Sequence, residues 1–376
     1  MFWEKEGKLI YSYDGETVCI EAWGKDALRV RATKNRSFTG RDWALEAKDA
    51  HAGEVEIFED PSAKGGAFAN MYEGTDTSYG KITNGKLHAV IDSGSVITFY
   101  HEDGRVLLKE HFRRLRDEES MPLNIMGREY SNGVGDNFRI VTRFVARKGE
   151  KIFGMGQYQQ HELDLKGCML ELAQRNSQVS VPFYLSSIGY GFLWNNPGVG
   201  QVMFANNGTE WVTESGKEID YLVIAGDTPA EIEENYMTLT GKPPMMPEYG
   251  MGFWQCKLRY WNQEQLLSVA RKYKELGIPL DVIIVDFFHW TKQGEFKFDP
   301  KYWPDVPGMC RELKEMGIQV VVSVWPTVDI YSENFEEMKE KGYLVRTEHG
   351  VPLTMLCGGN EVFFDATNPD ARTYVW

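Results

Sequence analysis

The sequence is short of positive charge, of paired cysteines and of long apolar runs, and each shortage removes a class of function. Against 55 Asp and Glu stand 41 Lys and Arg, a formal charge of −14. Proteins that read nucleic acid carry a basic footprint, so no nucleic-acid partner is expected. The five cysteines, Cys19, Cys168, Cys256, Cys310 and Cys357, are odd in number, widely spaced and form no C-x-x-C. A disulfide framework and a zinc site are therefore not expected. The longest purely aliphatic run is 282–285, far below the about 20 residues of a membrane-crossing helix; no membrane association is expected. Met1-Phe2-Trp3-Glu4-Lys5-Glu6 lacks the basic region and apolar core of a signal peptide. That points to the cytoplasm, where the sequons at Asn35 and Asn207 are chance matches.

What is present describes a folded chain rich in turns. Apolar residues make up 42% and charged residues 26%, with 37 Gly and 15 Pro, as in ordinary globular proteins. Eleven Trp and 13% aromatics suit ring-lined surfaces or a β-rich core.

Two rhythms divide the chain. Up to about residue 230, short alternating segments read as strands. Residues 8–13 and 17–23, joined through Asp14-Gly15, form a hairpin pattern, repeated at 86–92 and 96–100 around Ser93-Gly94-Ser95. Segments 28–32, 138–144, 179–185, 191–194, 201–204 and 219–224 add further strands, predicting a two-sheet sandwich. Thr228-Pro229 starts a helix as cap and first residue. Gly241-Lys242-Pro243-Pro244-Met245-Met246-Pro247 then breaks regular structure. After it come strand 249–254, a helix capped by Asn262 with Leu266, Ala270, Tyr273 and Leu276 as its stripe, strand 280–285, a helix through Met309, Leu313 and Met316, strand 320–325, and a helix capped by Ser332. Glycines 277, 317 and 342 stop the helices, and Asn368-Pro369-Asp370 opens another. Strand–helix units of this size build a parallel sheet or barrel. The expected fold is a β-sandwich N-terminal domain (1–230), a helix and Pro-rich linker (231–247), and the first part, about three βα units, of a (β/α)8 TIM barrel (248–376). A complete barrel takes typically ~250 residues and 129 follow Pro247, so the chain reads as cut within a domain.

Barrel chemistry sits at the C-terminal ends of strands. Three such ends occur: Trp254-Gln255-Cys256-Lys257-Leu258-Arg259-Tyr260, Val285-Asp286-Phe287-Phe288-His289-Trp290, and Ser323-Val324-Trp325-Pro326-Thr327. Each mixes rings with polar groups, as sugars require. Asp286 ends an apolar strand and could accept two sugar hydroxyls; it could equally cap its loop or pair with Arg259. Trp254, Trp290 and Trp325 either stack on a sugar or fill the barrel mouth. His289 reads as a packed histidine and Cys256 as a buried structural thiol. Gly154-Met155-Gly156 is not a dinucleotide fingerprint: Gln159 replaces the third glycine and no helix follows. Asp117-Glu118-Glu119 reads as a solvated loop.

The motifs taken in order are more specific. Phe153-Gly154-Met155-Gly156-Gln157, Val181-Pro182-Phe183-Tyr184-Leu185-Ser186-Ser187, Gly189-Tyr190-Gly191-Phe192-Leu193-Trp194-Asn195-Asn196-Pro197, Gly252-Phe253-Trp254-Gln255, Val285-Asp286-Phe287-Phe288, Trp303-Pro304-Asp305, Val324-Trp325-Pro326-Thr327 and Phe364-Asp365-Ala366-Thr367-Asn368-Pro369 resemble glycoside hydrolase family 31. The resemblance implies a retaining exo-α-glycosidase, an α-glucosidase or α-xylosidase, acting on terminal α-linked sugars of oligosaccharides or glycosides. It implies no metal or organic cofactor. It assigns sugar binding to Asp286, with Phe287, Phe288, Arg259, Trp325 and Trp254 around it. Two catalytic Asp residues, at the ends of strands four and six, match nothing here, so catalytic residues are expected beyond this chain and residues 1–376 alone are expected to be inactive. An α-transglycosylase and a non-catalytic carbohydrate-binding protein remain alternatives, and self-association into a homo-oligomer stays open.

Overall fold

The computed structural model describes residues 1–59, 78–111, 113–115, 123–347, 349–355 and 360–376; Cys357 and the acidic stretch at 117–119 lie outside them. The chain divides into two units, Met1–Pro243 and Pro244–Trp376. Among the described residues no helix is long and apolar enough to cross a membrane.

In the first unit, period-two patterning yields antiparallel sheets. The largest has nine strands. Its path runs Phe2–Lys5, Lys8–Tyr13, Glu16–Trp23, Ala27–Thr33, Ile219–Ala225, Tyr190–Trp194, Val179–Ser186 and Ile152–Gln157, with Ala50–His51 paired beside Glu16–Trp23. One five-stranded sheet orders Val106–Lys109, Ile97–His101, Leu87–Ile91, Ser78–Asn84 and Glu54–Glu59. Another orders Arg128–Asn132, Phe138–Phe144, Gly208–Gly216, Gly200–Ala205 and Met169–Leu172. A single core draws Leu9 and Ile20 from the large sheet, Ile82 and Phe99 from the first small one, and Phe144 and Trp211 from the second. The large sheet thus packs on both, as the sandwich pattern requires. Much of the aromatic surplus is spent here: Trp194 stacks on Trp211 at 5.5 Å, and Phe192 lies 5.1 Å from Trp211 and 5.2 Å from Tyr221.

A charged cluster crosses this core. A buried charge needs a partner, and Arg128 has two. Its guanidinium donates to Glu16 at 2.9 and 3.0 Å, to Glu110 and to the Ser95 carbonyl at 2.9 Å. Tyr130 donates to Glu16 at 2.9 Å and Tyr221 to Glu110 at 3.2 Å. Burial pushes the Glu110 carboxyl upward, and Arg128 opposes it.

Gly154 and Gly156 form an irregularity within the Ile152–Gln157 strand. Both have positive φ (118° and 90°), and a Cβ on Gly156 would meet the Val179 carbonyl at 2.2 Å. Their role is steric, with no phosphate cradle.

Helix α1 (Pro229–Thr240) starts as its sequence suggests: Thr228 Oγ1 accepts from the Glu231 N–H at 3.2 Å. The sequence grouped it with the linker, but the helix is part of the first unit. Its stripe of Ile232, Tyr236 and Leu239 packs on Trp23, Ala27, Leu222 and Ile224 of the large sheet.

The second unit holds a parallel sheet of Trp254–Gln255, Val282–Val285 and Gln319–Val322, in that order. Between them run α2 (Gln263–Glu275) and α3 (Val306–Glu315). Ile283 and Val285 join Leu266, Leu267, Ala270, Met309 and Leu313 in one core. A second core gathers α4 (Phe335–Glu340) around Val328 and Val362, with α5 (Pro369–Val375) at its edge.

Three local expectations change. Residues 249–254 are not one strand: Gly250 and Gly252 donate to Pro247 and Tyr249 carbonyls, closing a 3-10 turn at Glu248–Met251 before the two-residue strand. Leu276 leaves the α2 stripe; it is the C-cap and 57% exposed. Ser332 does not cap α4. Its hydroxyl accepts from the Asn334 N–H at 3.3 Å, one residue before the helix.

Candidate functional site

Strand alternation aims the site. Ile283 and Val285 face the helices, so Val282, Ile284 and, beyond the strand end, Asp286 lie on the opposite face. Asp286 is half-buried. Its Oδ1 accepts from the Phe287 N–H at 2.8 Å, which realises the loop-capping alternative. The other alternative, an Asp286–Arg259 pair, is absent among the described residues. Instead the Arg259 guanidinium lies over the Trp261 ring at 3.5 Å and the Phe288 ring at 5.0 Å. Its side chain makes no hydrogen bond or ion pair among the described residues, and its buried Nε is unmet.

Around Asp286 the rings are continuous. Phe287 touches Phe288 at 4.2 Å and stacks on Trp325 at 5.5 Å and 24°. Phe288 is 53% exposed and holds φ at 65°, a left-handed backbone that is costly for a bulky side chain. Such strain gathers at sites where the surroundings fix a side chain for use. Asp286, Phe287, Phe288, Arg259 and Trp325 therefore form one constellation. Trp254 stands apart. It pairs with Val282, at the opposite end of that strand from Asp286, and its indole donates to the Gly250 carbonyl at 3.2 Å.

His289 is packed as its sequence suggests. It is 5% exposed, with Trp290 and Phe298 rings each at 4.7 Å. Nδ1 lies 3.0 Å from the Asp286 carbonyl, which can only accept, so Nδ1 carries the proton. Burial lowers its pKa below the usual 6.5. In the window beneath 6.5 the unfolded chain then binds more protons than the native one, so stability falls as pH falls. Urea midpoints measured from pH 7 to pH 5 should decline, and His289→Phe should flatten that decline. An unchanged slope in the variant would assign the effect to other groups, His88 among them, whose pKa burial also lowers.

Cys256 corrects the sequence reading. It is exposed rather than buried, and its Sγ lies 3.4 Å from Asp286 Oδ2. Trp261 was also missed; only its position over Arg259 singles it out. A cavity of about 260 Å³ opens beside Trp325 and His289, with Gln293, Phe296 and Phe298 in its lining. Asp286 is outside that lining.

Comparison with known proteins follows this division. Residues 17–202 match the glycosyl hydrolase 31 N-terminal galactose mutarotase-like domain, and residues 243–376 match the glycosyl hydrolases family 31 TIM-barrel domain. An alpha-xylosidase from a soil metagenome, solved with xylose, superimposes with a TM-score of 0.89 at 47% identity, covering 100% of this chain and 54% of that one. Alpha-xylosidase A of Aspergillus niger is 30% identical over 96% of this chain and 49% of its own length, so the chain spans about half of each of these two relatives. An uncharacterized family 31 glucosidase of Pseudescherichia vulneris is 42% identical over 99% of this chain and 69% of its own. With both domain models matched in order and that identity sustained end to end, the chain belongs to glycoside hydrolase family 31.

Proposed function

We propose that the protein carrying this chain is a retaining exo-α-glycosidase that removes terminal α-linked xylose from oligosaccharides or glycosides, and that Asp286 grips the terminal sugar. The observation that carries this reading is the constellation at the strand ends. A carboxylate turned away from the helices sits beside a Phe287–Trp325 stack and an Arg259 without an acceptor. Rings meet the C–H faces of a sugar, while the carboxylate and guanidinium meet its hydroxyl edges. Xylose, rather than glucose, is favoured by the alpha-xylosidase solved with xylose, whose 47% identity exceeds the 42% of the family 31 glucosidase. A retaining reaction needs two carboxyls about 5–5.5 Å apart. The chain described here supplies the grip, and the catalytic pair is assigned to residues outside it.

The test is hydrolysis of aryl α-xylosides and α-glucosides by the protein carrying this chain, with proton NMR of the first sugar released. The expected result is faster turnover of the xyloside and release of the α-anomer first. A β-anomer first would overturn retention, and a preference for the glucoside would overturn xylose. Products lengthened by a second sugar would indicate a transglycosylase.

A further inference from the structure

The Asp286 carboxylate is held at both oxygens, from two different strand ends. Oδ1 accepts from its own loop, at the Phe287 N–H. Oδ2 is met from the neighbouring strand by Cys256 Sγ at 3.4 Å. That neighbour is fixed in parallel register, Gln255 opposite Ile283, so Cys256 leaves the sheet beside the loop that carries Asp286. The thiol also lies 3.5 Å from the Lys257 carbonyl. It has one hydrogen to give, and an ionised carboxylate is the stronger acceptor.

We propose that Cys256 is a positioning residue for sugar binding: its S–H donates to Asp286 Oδ2 and, with the Phe287 N–H on Oδ1, fixes the plane in which the carboxylate meets sugar hydroxyls. Two donors on two oxygens stop rotation of the carboxylate about its last bond. Either donor alone leaves that rotation open. Each oxygen keeps a second lone pair for a hydroxyl, so the thiol orients the carboxylate without consuming its binding capacity. Partial desolvation first, and the Asp286 carboxylate second, raise the thiol above its usual 9.0, in keeping with a protonated donor. The inference rests on Asp286 acting as the sugar grip, and its test is chosen to fail separately from that reading.

The first measurement reads the contact without activity. In alkylation by iodoacetamide the Cys256 thiolate forms an S–C bond and displaces iodide, and peptide mass spectrometry follows the rate at this one cysteine. Asp286→Asn removes the charge that holds the proton on sulfur. Without that charge the thiol ionises more readily, and the gain in thiolate is only partly offset by lower nucleophilicity. Alkylation at pH 7.5 should therefore speed up, and an unchanged rate overturns the proposal. The second measurement is kinetic. Cys256→Ala should raise KM for an aryl α-xyloside about three- to tenfold, the range of an ordinary hydrogen bond, because a thiol is a weak donor even to a charged acceptor. Cys256→Ser, which keeps a donor, should restore KM to within about twofold. An alanine variant with unchanged KM overturns the proposal. If the unsubstituted protein turns over neither xyloside nor glucoside, the glycosidase reading falls, while the alkylation rates still decide whether thiol and carboxylate are coupled.

Discussion

Replacing Arg128 by alanine is expected to cost the sandwich about 3–5 kcal/mol of folding stability, the range for stripping one partner from a buried ion pair. The size of the loss comes from what is left behind. Glu16 and Glu110 are 9% and 1% exposed and would face each other without the guanidinium that now joins them. They must then ionise in the core unpaired or take up protons that neither they nor the Tyr130 and Tyr221 hydroxyls bonded to them can accommodate without rearrangement. Urea unfolding followed by tryptophan fluorescence is a direct reporter, because Trp194 and Trp211 sit in the same core. A loss under about 1 kcal/mol would place the cluster with ordinary surface pairs and show that water reaches it. Arg128→Met with Glu16→Gln and Glu110→Gln should recover most of the loss, since an apolar and neutral replacement leaves no charge to desolvate.

In the protein carrying this chain, Asp286→Ala is expected to lower kcat/KM by roughly 30- to 1,000-fold. That is the loss of about 2–4 kcal/mol for a carboxylate that accepts sugar hydroxyls and whose partners are then orphaned. The fold should tolerate the change, because the carboxylate's partners are only the adjacent Phe287 N–H and the exposed Cys256 thiol. The two effects therefore separate: a variant with a near-native urea midpoint and collapsed kcat/KM supports the sugar grip. A change under about threefold would reduce Asp286 to a cap for its own loop.

The sequence was most readable where one local rule decided the outcome. Alternation placed several strands of the sandwich, among them Lys8–Tyr13 and Leu87–Ile91, but not Glu54–Glu59, Arg128–Asn132 or Gly208–Gly216. Caps with a side-chain oxygen and a following proline or glutamine placed α1, α2 and α5, where Thr228, Asn262 and Asn368 all accept backbone N–H groups. Reading failed where the decision is made by residues far apart. No local pattern announces that Arg128 meets Glu16, 112 positions away, or that Cys256 meets Asp286. The Thr327–Asp329 and Glu361–Phe363 pair was missed because three residues give alternation nothing to repeat. At the candidate site, the strand-end rule predicted that the rings following Asp286 lie together with Trp325, and Phe287 does stack on Trp325. Trp254 was read as the last residue of strand 249–254, but it opens a two-residue strand at the level of Val282.

The pairing of Ala27–Thr33 with Ile219–Ala225 also governs the order of assembly. Leu28 stands opposite Val223, and this join links the N-terminal strands of the large sheet to the strands contributed by residues 152–194. During synthesis at about 5–20 residues per second, roughly 10–40 s separate the two halves of that join. Over this interval the Ala27–Thr33 strand has one of its two edges unpaired, an opening to other chains. The sheet can close only once Ala225 has emerged, so its folding is paced by a non-local contact and by the rate of translation.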